Sequence, residues 1–241
     1  MKILSFLFIL SVPAYAYSPG KWSPMDKYSF GTGKNGPKSE TVTNKDGNVI
    51  YTAEYEYDEN GKLVREKYKN GSGTDDGYTV YKYDRNRLIQ EELHSSRGLE
   101  ESKLFKYKDP SGELKTVSLL NAESKEIFRC KVIGMWNEWI TEGEIYWLEA
   151  KETEIFSTSH DPSNPKQWNQ EIYDEKKKSL AQIQVFFDEK GKIIRRENHQ
   201  SSGKRMSELK YDENGRITEM VFSVFTDNKW IPVKTHKFSY Q

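Results

Sequence analysis

The side chains of this chain best suited to binding are tryptophans in its middle third. Trp136, Trp139, Trp147 and Trp168 lie there, together with Tyr146. Aromatic rings stack on sugars and peptides, and Trp is enriched where proteins bind partners. Large aromatic residues also commonly fill protein interiors. We therefore treat the four tryptophans as candidate binding residues, with core packing as the alternative.

Other reactive side chains do not form a recognisable constellation. The four histidines are His94, His160, His199 and His236, and none has a second ligand at metal-site spacing. A serine, a histidine and an aspartate adjoin at residues 157–161, but a catalytic triad needs these groups gathered on a rigid scaffold rather than consecutive in sequence. The sequence predicts no catalytic residue, no metal and no cofactor. The alternative to a non-enzymatic protein is a hydrolase whose site is assembled from turns distant in the sequence.

The elements that would position these residues are short strands. Asn, Asp and Gly tolerate positive φ, and clusters of them recur along the chain, from Asp46-Gly47 to Asp227-Asn228. Neighbouring clusters lie about 12–14 residues apart, which leaves strands of about 8–10 residues and no helix-length segment. This spacing predicts an all-β fold, a long antiparallel meander of repeated β-hairpins.

Alternation within the strands supports this prediction. In 54–57 (EYEY), 81–83 (YKY) and 105–107 (FKY), aromatic rings take one face and charges the other. Residues 217–225 are apolar on both faces, which is typical of a covered strand. Because strand twist accumulates, so many strands predict a strongly twisted sheet that could close partly as a barrel or fold back on itself.

A longer repeat overlies the turns. Residues 57–63 (YDENGKL) recur as 211–217 (YDENGRI), with degenerate copies at 83–88, 107–114 and 187–193. Adjacent copies lie about 24–26 residues apart, so one hairpin is the repeating unit and stacking buries its apolar face.

This repeat resembles known secreted proteins. The Tyr-Asp-x-x-Gly-(Lys/Arg)-(Leu/Ile) pattern is similar to the YD repeats of RHS-type proteins, and residues 68–77 are similar to MORN-variant hairpin repeats. Residues 137–140 (NEWI) and 228–231 (NKWI) resemble hairpins that accompany YD-like units in some bacterial exported proteins. The resemblance implies a repetitive sheet in an exported or envelope protein, and it carries no active site.

The N-terminus predicts export. Residues 1–16 combine Lys2, a short apolar run and an A-x-A cleavage site, as in a signal peptide. Residues 17–40 hold several Pro and Gly and are expected to be an extended segment preceding one β-hairpin repeat domain at 41–241. Cys130 is the only cysteine, so no internal disulfide forms, and we expect it to be buried in a strand.

Composition narrows the function further. Lys and Arg number 37 against 37 Asp and Glu, which argues against a nucleic-acid partner, and no later segment could span a membrane as a helix. We expect a non-enzymatic exported binding or scaffold protein, periplasmic, outer-surface or extracellular, that binds a protein or glycan through its sheet surface. A structural subunit that associates through edge strands is a further alternative.

Overall fold

The computed structural model describes residues 36–85, 87–109, 112–136 and 139–240. The predicted signal peptide, most of the N-terminal segment and the turn at Asn137-Glu138 lie outside these residues. No helix able to cross a membrane occurs in the described ranges.

Sixteen strands make up most of the described chain. They are β1 (Ser39–Asn44), β2 (Val49–Tyr57), β3 (Leu63–Asn70), β4 (Asp75–Asp84), β5 (Arg87–Ser95), β6 (Gly98–Tyr107), β7 (Leu114–Asn121), β8 (Glu126–Trp136), β9 (Trp139–Trp147), β10 (Glu152–Asp161), β11 (Asn164–Asp174), β12 (Ser179–Phe187), β13 (Ile193–Gln200), β14 (Gly203–Tyr211), β15 (Ile217–Thr226) and β16 (Lys229–Ser239). Each strand pairs antiparallel with its neighbours in sequence, and β1 pairs with β16.

The sheet is therefore a closed barrel, which confirms the all-β prediction. Closure is complete, because Ser39–Asn44 lies in continuous register against β16. The described strands consequently leave no free edge, so self-association through edge strands, which the sequence left open, has no strand to use.

Asx turns explain the spacing of the hairpins. At the first YD copy, Asp58 Oδ1 accepts the backbone N–H groups of Asn60 and Lys62 at 2.9 and 2.8 Å, and Gly61 has φ of 79°. The register then shifts beside Tyr57, as expected for a type I turn followed by a G1 bulge. Comparable shifts in most of the hairpins increase the local twist, which helps the long meander to close.

The inner face of the barrel carries the core. Tyr55, Tyr81 and Phe105 are buried there while Glu54 and Lys106 point outward, as the alternation predicts. In β3 the β2–β3 bulge interrupts the alternation, since Leu63 and Glu66 are both buried although they lie three residues apart. This bulge makes Val64 the extra residue, so Glu66 rather than Arg65 faces inward. Cys130 is also buried, as expected.

A buried polar cluster holds the seam where the barrel closes. Glu40 on β1 accepts a hydrogen bond from Tyr55 Oη of β2 at 2.8 Å, and its other oxygen lies 2.5 Å from Nδ1 of His236 on β16. Glu40 and His236 are each only 1% exposed. One carboxylate therefore connects three adjacent strands, and a buried carboxylate requires partners of this kind.

Candidate functional site

The YD motif proves to be a structural device that repeats across the barrel. The tyrosine at the end of one hairpin donates from its hydroxyl to the backbone carbonyl of the Leu or Ile that begins the same hairpin. Tyr83 Oη donates to Leu63 at 2.9 Å, and Tyr211 Oη to Ile193 at 2.7 Å. Two more such bonds join Tyr107 to Leu88 and Tyr240 to Ile217, and Tyr57 donates in a similar way to the carbonyl of Pro37, just before β1.

The basic residue of the motif completes this arrangement. Lys62 lies 5.2 Å from the ring centre of Tyr83, and Lys192 lies 5.0 Å from that of Tyr211. Arg87 and Arg216 lie in the same way over Tyr107 and Tyr240. We call these five hydroxyl–carbonyl bonds, together with the four stacked cations, the tyrosine ladder. The Asp and Gly of the motif thus form the turn, its Leu or Ile packs in or against the core, and its Tyr and basic residue make the contact between copies.

The candidate tryptophans lie where the ladder is absent. Trp168 is 6% exposed, and its ring centre is 4.9 Å from that of His160 and 5.3 Å from that of Phe187. Trp147 packs against the core with its ring centre 5.1 Å from that of Phe128. These two residues contribute to the interior rather than to an exposed platform, and binding by them stays a prediction.

The other two tryptophans face each other in the β8–β9 register, Trp136 opposite Trp139. Their side chains lie outside the described residues. The even spacing of Trp139 and Trp147 is no evidence for a common face, because β9 is irregular between them: Gly134 pairs with Glu142 and Met135 with Ile140, which leaves Thr141 as an extra residue. In an unbulged β9, even spacing would put Trp139 and Trp147 on one exposed face and turn Tyr146 to the covered side. This prediction is wrong for Tyr146, which is 43% exposed while its neighbour Trp147 packs inward.

A groove of about 530 Å³ lies elsewhere, on the outer face of β11–β15. Directly paired residues form a row across these strands, in which Phe186 lies opposite Arg195, Arg195 opposite Glu208 and Glu208 opposite Val221. Val185 beside this row is buried in the core, so by strand alternation the row faces outward. We call this feature the outer groove.

The outer groove combines apolar and cationic side chains. Ile194 is the extra residue of the β12–β13 bulge and is 41% exposed. The Arg195 guanidinium lies 4.0 Å from the Phe186 ring centre, and Lys210 pairs with Glu219 at 2.7 Å. The remaining lining residues are Asn164, Lys166, Phe187 and Leu209.

The groove has the dimensions of a ligand site. Its size falls within the range of about 300–1,000 Å³ typical of ligand sites. Its lining contains no histidine, cysteine, serine or threonine. Within the described ranges, no group of three or more His, Cys, Asp and Glu side chains could hold a metal ion.

No pattern in the sequence indicates this site. Alternation places Phe186, Arg195 and Glu208 on the outer face, but nothing in the spacing indicates that this part of the face is concave. The basic and apolar residues also look ordinary in a strand that meets water on one side. The bulge at Ile194 was the one local signal, because the apolar pair Ile193-Ile194 interrupts the alternation.

Comparisons with known proteins identify the fold. No family model matches the chain, and no curated protein matches it. A porin-like protein from Bacteroides uniformis ATCC 8492 superposes with a TM-score of 0.54 at 10% identity, covering 88% of this chain and 99% of its own. This likeness extends over nearly the whole of both chains and shows a shared barrel fold.

Two further solved structures superpose more loosely. A porin-like protein from Bacteroides vulgatus ATCC 8482 gives a TM-score of 0.34 at 6% identity, covering 85% of this chain and 98% of its own. The Photorhabdus luminescens Tc holotoxin pore gives 0.28 at 10% identity, covering 76% of this chain and 12% of its own. Scores this low add nothing to the assignment of the fold.

Proposed function

We propose that this protein is a non-enzymatic, exported envelope or extracellular protein that binds a protein or glycan through the outer surface of its barrel. The outer groove is the single observation that carries the proposal, because it is a ligand-sized concavity built from apolar and charged side chains. The signal-like N-terminus supports export.

Ion pairs on the outer face support the proposal that this surface is in contact with water. Lys131 pairs with Glu144 at 3.0 Å and Lys82 with Glu92 at 2.7 Å, in each case across neighbouring strands. Lys or Arg facing lipid near the bilayer midplane costs about 2–4 kcal/mol, and transmembrane barrels carry an apolar outer band there. Ion pairs in these positions favour a barrel that meets solvent and partners rather than lipid.

Affinity capture of binding partners would test this proposal. The mature chain and a groove-blocking Val221→Glu variant are immobilised and exposed to the native envelope fraction, and glycans are screened on an array. We expect one protein or glycan to be retained by the native chain and lost by the variant, while both melt at similar temperatures. Equal retention by both forms would remove the groove from the function, and no retention at all would overturn the proposal.

A further inference from the structure

We infer that the inner wall of strands β13–β16 binds the anionic head of a single-chain amphiphile, whose alkyl chain lies on apolar side chains of the same wall. This site goes beyond the proposed function, because it lies inside the barrel, on the opposite face of the sheet from the outer groove. Its basis is a stretch of the inner wall that is open to solvent and on which two cations have no carboxylate partner.

The residues of this wall form two adjacent rows across the four strands. Arg196 lies opposite Val185, and Asn198 lies opposite Ile183. Val185 and Ile183 belong to the core and are each 4% exposed, so both rows point inward, because directly paired residues share a face. The first row is Arg196, Ser207, Phe222 and Lys234, and the second is Asn198, Arg205, Val224 and Ile231.

The two rows become open to solvent between β12 and β13. On β11 and β12 the same rows continue as packed side chains that are between 2 and 6% exposed, namely Trp168, Gln170, Val185 and Ile183. On β13–β16 none of the side chains in the two rows is buried. The inner surface of a closed barrel is concave, so exposed side chains on it line a space that a ligand can enter from solvent.

The charge of the two rows selects an anion. Lys234 and Arg205 form no ion pair with any carboxylate of the described chain, and neither row contains an acidic residue. Glu40 on the adjoining strand β1 is already engaged at the seam. Elsewhere on the inner wall, in contrast, Lys103 pairs with Glu91 at 3.0 Å. Cations on a concave surface raise the local concentration of anionic ligands.

Apolar side chains lie between these two cations. Phe222 and Val224 of β15 separate Arg205 on β14 from Lys234 on β16, and Ile231 lies opposite Val224. The backbones that carry the two cations are thus two strands apart, about 10 Å, and both long side chains can reach one head group. A small inorganic anion would leave the apolar surface uncovered, whereas an alkyl chain attached to the anion covers it.

Carboxylate and phosphate head groups share the chemistry that this wall recognises. Both accept charge-assisted hydrogen bonds from lysine and arginine, and the hydroxyl of Ser207, directly opposite Phe222, is a further donor to either. The two head groups therefore form separate arms of the experiment.

Matched amphiphiles would test the inference on the mature native chain. Dodecanoate, dodecyl phosphate and dodecyltrimethylammonium are titrated calorimetrically at concentrations below those at which they form micelles. We expect one saturable site for an anionic probe and binding of the cationic probe that is weaker by about tenfold or more, because repulsion replaces a charge-assisted contact. The tighter anionic probe identifies the head group. Equal binding of anionic and cationic probes, or no saturable binding of either anion, would refute the inference.

Two lysines of one strand then locate the site. Lys234→Gln should weaken binding of the preferred anion about tenfold, the loss of one charge-assisted contact. Lys237→Gln should leave it unchanged, since Lys237 is exposed on the outer face of the same strand, opposite Glu219. Arg205→Gln should act like Lys234→Gln, and all three variants should melt at similar temperatures. Native affinity in both inward variants would contradict the inference.

The outer groove supplies the control that distinguishes the two sites. Val221→Glu should leave anion binding unchanged, because Val221 and Phe222 are consecutive strand residues and point to opposite faces. If Val221→Glu abolishes anion binding while Lys234→Gln does not, the amphiphile lies in the outer groove and the inference fails. Saturable anion binding in a chain that captures no protein or glycan would instead overturn the proposed function and support the inner site.

Discussion

The two parts of the barrel wall are held together differently. In β3–β6 and β13–β16, successive hairpins repeat the tyrosine ladder, with a hydroxyl–carbonyl bond and a stacked cation at the same position each time. In β8–β11 the ladder is missing, and large side chains such as Phe156, Ile140 and Trp168 fill the interior. The same sheet thus continues through a polar, repetitive region and an apolar, irregular one.

The ladder stops where its components change. After Tyr107 the turn carries Glu113 in place of the basic residue, and the next copy with the full turn motif begins at Phe187, which has no hydroxyl. Between them, Gly143 leaves room for a ring. A Cβ there would lie 2.6 Å from the Phe156 ring and 2.8 Å from the Lys131 carbonyl oxygen. The middle region therefore depends on shape complementarity, which a repeated motif does not encode.

Truncation of a buried tryptophan should cause the largest loss of stability and should distinguish the two regions. Trp168→Ala should lower the free energy of unfolding by about 3–5 kcal/mol, because it empties a buried ring site. Trp230→Ala is the matched control, since Trp230 is only partly buried and packs edge-on against Phe225 outside the core cluster. Denaturant unfolding measures both. A loss for Trp168→Ala no greater than for Trp230→Ala would show that the middle region does not depend on its packing.

The tyrosine ladder should lose its stabilising effect at alkaline pH. Burial raises the pKa of Tyr83 and of Tyr240 from 10.0 to about 12, and burial also raises the pKa of Tyr57, Tyr107 and Tyr211. The folded state therefore keeps protons that the unfolded chain has lost. This stabilisation is complete below about pH 10 and disappears as the pH rises towards 12.

Spectrophotometric titration of tyrosinate, followed alongside unfolding, would measure this. We expect the ladder tyrosines to ionise together with the loss of tertiary structure. If they ionise near pH 10 in a protein that stays folded, the hydroxyls are not held as described.

Removing one hydroxyl should have a smaller effect. Tyr83→Phe leaves the ring in place and deprives the Leu63 carbonyl of its donor, at a cost of about 1–3 kcal/mol. Tyr146→Phe removes a hydroxyl from an exposed ring in the middle region and should be nearly neutral. Thermal unfolding of the two variants compares the regions directly, and equal melting temperatures would contradict the ladder.

The smallest expected effect concerns the stacked cation. Lys192→Met keeps the aliphatic stem over Tyr211 but removes the charge, with an expected loss of about 0.5–1 kcal/mol. Lys190→Met, in the same turn, is the control because no such stacking involves it. Chemical denaturation resolves this difference, and a loss of equal size in both variants would attribute it to the charge of the turn rather than to the ring contact.

Much of the fold follows from local sequence. Asp58-x-x-Gly61 predicts a hairpin because an Asx oxygen can cap two backbone N–H groups while glycine adopts positive φ. The alternation of 54–57 predicts which face is buried. Glu66 was not predictable in this way, because the bulge at Val64 reverses the faces and depends on the partner strand. The tryptophans show the same limit: their spacing indicated a common face, and the register shift in β8–β9 removed the basis for it.

The sequence by itself determined the turns, the strands, the repeat and the apolar face, since each depends on residues close together in the chain. Only the tertiary structure decided that the barrel closes, because closure brings Glu40 against His236 across almost the whole length of the chain. It likewise decided the outer groove, whose row from Phe186 to Val221 comes from four different strands. A concave surface depends on the twist and register of neighbouring strands, and no local pattern specifies these.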